Sequence, residues 1–458
     1  MNSGKLKREW SMAKIKITKG FDIRIDGAAL PERKSLAPAG RVGLQPPDFY
    51  GIKPKLLLKE GESVKAGTAV FFDKERPELK FASPVSGKIK AIHYGERRAL
   101  LSIEIERDGK ESAETFRKWS EKELEKASPE ELAKEMLEAG VWPMIRQRPF
   151  SLIADPKDKP KAIFISMMTT APLASNPLLL VQGKEKMLQL GLKIIQKFTG
   201  AKVHVVFGEE NTLYKALQGV EKHIFTGPHP AGNTGIHIHH IAPINCGEKV
   251  WFVAPQDLVR IAEFLTTGRY PSKKVMSVAG SAAQNRYYYE ALEGTPVADL
   301  LKGTPEGDLR YINGDVLSGA LSSREGFLGY YSELITVIPE GRAREFLGWI
   351  TPGFNKLGFS KTFLANLFPK KTYALDTNLH GGHRAFIQTG AFEEVLPMDI
   401  HPGYLLKSIM AKDIAEMEGL GIYEISEEDF ALLAYIDPSK NDILGIVRSG
   451  FDLIRKEA

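Results

Sequence analysis

The period of the apolar residues changes three times along this chain, and the changes divide it. From 14 to about 106, short Val, Ile and Leu runs are broken by glycine and proline, the pattern of strands joined by tight turns. From 120 to 271 strands and helices alternate. Ser128-Pro129-Glu130-Glu131 reads as a capping box with proline at the first helical position, and Gly140 closes that helix. A buried strand over 161–166, an amphipathic helix over 185–199 ended by Gly200, and a strand over 202–207 make a βαβ unit. A short helix from Thr212, a strand over 223–226 and a helix over 256–267 extend it into a parallel sheet. Residues 272–338 return to strands, with a short helix capped at Thr295-Pro296 and a hairpin signal at Asn313-Gly314. Beyond 340 the period is helical, as over 405–418 before Gly419, and the acidic run 424–429 suits a helix N-terminus.

The first β region carries two half-motifs. Residues 58–70 (Leu-Lys-Glu-Gly-Glu-Ser-Val-Lys-Ala-Gly-Thr-Ala-Val) and 81–92 (Phe-Ala-Ser-Pro-Val-Ser-Gly-Lys-Ile-Lys-Ala-Ile) resemble the paired hairpins of lipoyl/biotinyl-type barrel-sandwich domains, with Gly61, Gly67 and Gly87 at the turns. The resemblance implies a carrier lysine at the tip, where Asp73-Lys74 stands. The tip over 73–80 is longer than in carriers and contains Pro77, so Lys74 is expected in a solvated charged turn. The expected fold is α/β multidomain: an extension over 1–11, a barrel-sandwich β domain over 12–110, a Rossmann-like domain over 111–271, a β-grasp (SLBB-like) domain over 272–339 and a helical C-terminal domain over 340–458.

Composition narrows the function. With 62 basic and 57 acidic residues the net charge is only +5, and no basic stretch interleaved with aromatics points to nucleic acid. One cysteine excludes an intramolecular disulfide and a four-thiolate cluster. No apolar run nears the roughly 18 residues that a bilayer-spanning helix needs. The first ten residues lack the apolar core of a secretory signal, and Met12 is a candidate functional start.

Candidate chemistry concentrates at 227–240, Gly-Pro-His-Pro-Ala-Gly-Asn-Thr-Gly-Ile-His-Ile-His-His, which holds four of the ten histidines. Its glycines allow positive φ or close backbone approach, and its prolines stiffen the entry. The alternation from Ile236 reads as a strand that puts His237 and His239 on one face. Cys246 is the only thiol, and Glu209, Glu210, Glu221 and Glu248 have no ligand-like spacing to these imidazoles, so no metal site is expected. The segment lies just past a strand's carboxyl end, where open α/β sheets bind ligands. The turn over 167–177 has no glycine, so the dinucleotide fingerprint is missing, and no residue qualifies as a catalytic acid, base or nucleophile by spacing.

The order of these parts, with 347–353 (Leu-Gly-Trp-Ile-Thr-Pro-Gly), 395–402 (Val-Leu-Pro-Met-Asp-Ile-His-Pro) and 423–429 (Tyr-Glu-Ile-Ser-Glu-Glu-Asp), resembles the A-subunit family of Na+-translocating NADH:quinone oxidoreductases (Na+-NQR) from Met12 onward. The resemblance implies a peripheral subunit on the cytoplasmic face of the bacterial inner membrane. It also implies five partner subunits, chiefly a membrane subunit, that carry NAD, flavin and iron–sulfur chemistry to ubiquinone. Related flavoprotein subunits of complex I carry a glycine-rich loop where this chain has 141–150 (Val-Trp-Pro-Met-Ile-Arg-Gln-Arg-Pro-Phe). They also have an acidic turn where it has His229-Pro-Ala-Gly-Asn-Thr. The Rnf relative ends a cluster motif with Cys-Pro where this chain has Leu396-Pro397. No redox cofactor of its own is therefore expected. Two readings follow: a scaffold whose old cofactor cleft meets quinone through His229, His237, His239, Arg146 and Arg148, or a flavin- or NADH-binding subunit with an unrecognised site. The structural counterpart of the first is that the histidines are buried, hydrogen-bonded packing groups.

Overall fold

The computed structural model describes residues 13–342, 345–348, 350–387 and 390–457. The extension over 1–11, the candidate start Met12 and Trp349 of the 347–353 motif lie outside them. The β half-motifs form two small sheets. One has the order Arg41–Leu44, Leu100–Arg107, Gly87–Tyr94, Ser63–Val64, and the other Pro54–Leu56, Ala69–Asp73, Lys80–Ala82. Gly61 and Gly67 sit in turns, whereas Gly87 opens a strand. Lys74 is exposed at the tip, but the tip is tethered. Buried Asp73 accepts hydrogen bonds from the Lys53 and Glu75 amides and from Arg76, whose other end reaches the carbonyl of Ile153.

The α/β sheet has seven strands in the order Ala13–Lys16, Glu221–Thr226, Val203–Phe207, Ile163–Ser166, Val250–Phe252, Arg146–Arg148, Leu152–Ile153. The first five run parallel, Arg146–Arg148 pairs antiparallel to the fifth, and Leu152–Ile153 pairs antiparallel to Arg146–Arg148. Its first strand was expected to belong with the barrel-sandwich region but pairs with Glu221–Thr226, because parallel partners are distant in sequence and local pattern cannot name them. Arg33–Lys34 likewise joins a six-stranded sheet otherwise built from 273–339. Helices Glu185–Gln196 and Pro255–Thr267 pack together against the seven-stranded sheet, burying Leu188, Leu192, Leu258, Ile261 and Phe264. The capping box expected at Ser128 forms, and a second one stands at Ser120.

Three local expectations change. Residues 236–241 are not a strand but part of the helix Thr234–Ile241, which lies against the sheet with Ile236, His237 and Ile238 all buried, so alternation loses its meaning there. The expected two-residue turn at Asn313-Gly314 is a loop over 314–319, because the Asp315 carboxylate accepts from the amides of Leu317 and Ser318 and widens it. The single helix expected over 405–418 is two, Pro402–Ala411 and Ile414–Gly419. Lys412 takes φ +59°, and Asp413 caps the second helix by accepting from the Glu416 amide at 3.1 Å. The acidic run does open a helix, Glu427–Ile436, through a Ser426–Asp429 capping box.

Candidate functional site

A cavity of about 600 Å³ lies past the carboxyl ends of the parallel strands, where the α/β sheet, the six-stranded sheet and the C-terminal helices meet. Its lining includes four segments, besides Ser426, Glu427, Glu428 and Arg448 of the C-terminal region. The loop after Ser166 contributes Met168 and Thr169, and the turn after Thr226 contributes His229 and Asn233. The antiparallel strand contributes Arg146 and Arg148, and the loops of the six-stranded sheet contribute Asp315, Tyr331 and Glu333. The third wall follows from the segment 141–150. Its turn Trp142–Met144 is fully buried, with Trp142 Nε1 donating to the Ala154 carbonyl at 2.8 Å. Truncating such a buried indole costs ~3–5 kcal/mol. With that turn fixed, the strand Arg146–Arg148 must alternate, so both arginines point one way and Gln147 the other.

The two arginines differ in what they do. Arg148 is buried and held by carboxylates, donating to Glu428 Oε1 at 2.6 Å with Asp429 Oδ2 at 3.6 Å. It is a clamp between the sheet and the helix Glu427–Ile436. Arg146 instead lies between two rings, its guanidinium carbon 4.5 Å from the Phe252 centroid and 4.4 Å from that of Tyr331. Such stacking fixes a cation while leaving its N–H edges for another acceptor. Tyr331 is anchored by donating to the Pro143 carbonyl at 2.7 Å, and burial pushes its phenol well up. Enclosure, with Asp257 adding to it, raises Glu333 to about 7, and Gln256 opposes by donating to its Oε1 at 3.1 Å. Enclosure also raises Asp48 to about 6, despite the hydrogen bond that it accepts from the Tyr330 amide.

His229 is buried, and burial lowers the pKa of its imidazole, favouring the neutral form. Its backbone amide is held by Asp22 Oδ1 at 2.8 Å, and its Nδ1 is 3.2 Å from Thr170 Oγ1. Thr170 also accepts the Gly232 amide at 2.9 Å, and its hydroxyl proton faces Nδ1. Nε2 is buried with no partner among the described residues, and in the tautomer that takes the Thr170 proton on Nδ1 it is a donor.

His237 and His239 do not line this cavity. Two apart on a helix, they lie about 200° apart around the axis, not on a common face. His237 is buried against Phe225 and donates from Nε2 to the Ala231 carbonyl at 2.9 Å. His239 accepts the Asp399 amide on Nε2 at 3.0 Å, so its proton is on Nδ1, donated to Glu424 at 2.7 Å. It ties the helix to the C-terminal region. The cavity thus unites His229, Arg146 and Arg148. Sequence reasoning missed Phe252, Tyr331 and Glu333, which come from a strand end and from the loop before the strand Leu334–Pro339 and have no local signature.

Comparison with known proteins decides the family. Family models match at 15–108, described as the NqrA N-terminal barrel-sandwich hybrid domain; at 127–270, the NqrA second alpha/beta domain; and at 275–324, the NQRA C-terminal domain. The Na(+)-translocating NADH-quinone reductase A subunit of Yersinia pseudotuberculosis is 37% identical over 447 residues, 97% of this chain and 100% of that protein. The chain belongs to the NqrA family. Its counterpart from Neisseria gonorrhoeae is 35% identical over 449 residues, again 97% and 100% of the two chains. NqrA relatives therefore match along nearly the whole length. A chain of an NAD+-reducing [NiFe]-hydrogenase aligns at a TM-score of 0.34 and 14% identity, over 66% of this chain and 55% of that one, and carries no argument.

Proposed function

We propose that this chain is the peripheral NqrA subunit of a Na+-translocating NADH:quinone reductase, the assembly that oxidises NADH, reduces ubiquinone and exports Na+. In this reading it sits at the cytoplasmic face of the inner membrane, held by five partner subunits that carry the flavin, iron–sulfur and NAD sites. The Rossmann-like and β-grasp labels for 111–271 and 272–339 belong to the same reading. So does a chain without a redox cofactor of its own, which organises the complex and offers its cavity to a quinone headgroup. The observation that carries the quinone role is the unpartnered buried Nε2 of His229 in a cavity whose Arg146 is stacked between Phe252 and Tyr331. A quinone needs donors for its carbonyls, and His229 and Arg146 face the cavity from two of its walls.

The flavin- or NADH-binding alternative needs bare backbone N–H groups around a phosphate. The segment 141–150 instead contributes buried Trp142, Pro143 and Met144. Protein purified from its native complex discriminates the two readings. The isolated chain should show no visible absorption and no bound iron, and stoichiometric flavin on it would favour the alternative.

A further inference from the structure

We infer that His204, Glu221 and His223 form a binding site for a divalent zinc-class cation, separate from the cavity. His204 lies on the strand Val203–Phe207, and the other two lie on the adjacent strand Glu221–Thr226. His204 is in register with Glu221 and Val206 with His223, so all three side chains fall on one face of the sheet. One ligand atom from each converges within 4.8 Å of the others. His204 Nδ1 is 2.9 Å from His223 Nε2 and 3.3 Å from Glu221 Oε2. Two nitrogens on one tetrahedral zinc, each at 2.0–2.1 Å, are about 3.3 Å apart. The two pairs that His204 makes therefore already stand within a few tenths of an ångström of the separation that two zinc ligands need.

Proton accounting favours a cation over a simple hydrogen-bonded pair. Both rings are buried, and their inward nitrogens stand only 2.9 Å apart. Only one proton can then lie between the two inward nitrogens. If His223 Nε2 carries it, the lone pair of His204 Nδ1 faces the Glu221 carboxylate at 3.3 Å. If His204 Nδ1 carries it, the proton of His223 is on Nδ1, which is buried without a partner among the described residues. Three electron-pair donors thus meet around a point with at most one proton. A divalent ion there is bound by all three, displaces that proton and relieves the repulsion. Two imidazoles and a carboxylate are the donor set of zinc sites, and a fourth position is left for water.

The surroundings fix the role. Phe164 stacks on the His204 ring at 4.9 Å, and Lys202 pairs with the other Glu221 oxygen, orienting the carboxylate. The three residues lie toward the amino-terminal ends of their strands, opposite the cavity, so the ion clips two central strands and takes no part in chemistry at the cavity.

Zinc alone is the probe. The full chain, stripped with chelator and dialysed against micromolar Zn2+, should retain one zinc by elemental analysis and melt at a higher temperature than the stripped form. Glu221→Gln keeps shape and hydrogen bonding but removes the charge, and it should weaken zinc binding by at least about tenfold and abolish the melting shift. His223→Gln should do the same. His93→Ala, at an exposed histidine on another sheet, should bind like the parent. Should His223→Gln fail to fold, Glu221→Gln decides alone. Absence of zinc from the parent chain, or binding unchanged by Glu221→Gln, overturns the assignment.

Discussion

Gly235 and Asp429 are packed so closely that a carbon added at Gly235 would lie 2.1 Å from Asp429 Oδ2. Gly235 is in the first turn of the helix Thr234–Ile241, so the carboxylate rests on that turn's backbone. The same carboxylate accepts from the Ser426 amide and hydroxyl at 3.0 and 2.8 Å and lies 3.6 Å from Arg148. One buried group thereby joins the α/β sheet, the histidine helix and the C-terminal helices. Gly235→Ala should destabilise the chain by about 1–3 kcal/mol, since the nearest atoms belong to a short, fixed side chain. In a double-mutant cycle, Asp429→Ala should cost less in the Gly235→Ala background than alone. Additive unfolding energies from urea titration would contradict the contact.

His229 and His239 should separate by function. His239→Ala removes two hydrogen bonds that tie the helix to the C-terminal region, each worth ~0.5–1.5 kcal/mol. It should lower the melting temperature while leaving quinone affinity unchanged, because the residue is outside the cavity. A variant of unchanged stability and reduced affinity would return His239 to the site.

Acid should reveal the buried imidazole of His237. Burial depresses it to about 3, against an ordinary 6.5, with the hydrogen bond to Ala231 as its largest opposing influence. Below pH 6.5 the unfolded chain binds a proton that the folded chain refuses, so stability falls as pH drops, by about 1.4 kcal/mol per unit for this group. The raised carboxyls of Asp48 and Glu333 act with the opposite sign, so parent and variant must be measured side by side. His237→Gln should flatten the loss between about pH 6 and 4. Parallel profiles would show that the ring titrates normally.

Attachment to the membrane should come through protein. No helix among the described residues is long and apolar enough to cross a bilayer. Each basic residue near an anionic surface is worth only ~1 kcal/mol before screening. The region after 340 exposes Phe346 (89%) and Leu367 (71%), proposed contacts for the membrane subunit. The isolated chain should float free of anionic liposomes at physiological salt. Phe346→Ser with Leu367→Ser should lower its retention in the detergent-purified complex, and full retention would remove this surface from consideration.

Lys74 should be unmodified, with intact mass equal to the sequence mass. The Asp73 hydrogen bonds and the Arg76 contact pin the tip that a carrier would leave free. An added lipoyl or biotinyl mass would contradict this.

Much of the site's frame was legible in the sequence because it depends on local rules. The capping box at Ser128, the acidic helix start over 424–429, the βαβ order and the close approaches at Gly232 and Gly235 all follow from neighbours a few residues apart. What was hidden depends on distant pairing. Nothing near Arg146 announces that Phe252 and Tyr331 will sandwich it. His204 and His223 converge only because their strands are adjacent. The misread histidine strand shows the limit of period: against a sheet face, a helix buried on several sides carries no polar stripe, and Ile-His-Ile fits either element.

Equilibrium titration with a short-chain ubiquinone asks whether the cavity receives quinone. The parent chain within its complex should bind with a measurable dissociation constant. His229→Ala should weaken binding about tenfold, the worth of one well-placed hydrogen bond. Phe252→Ala should weaken it further by freeing Arg146. Quinone affinity that stays at the parent value in both variants, with the chains folded, would rule out the cavity as the quinone site.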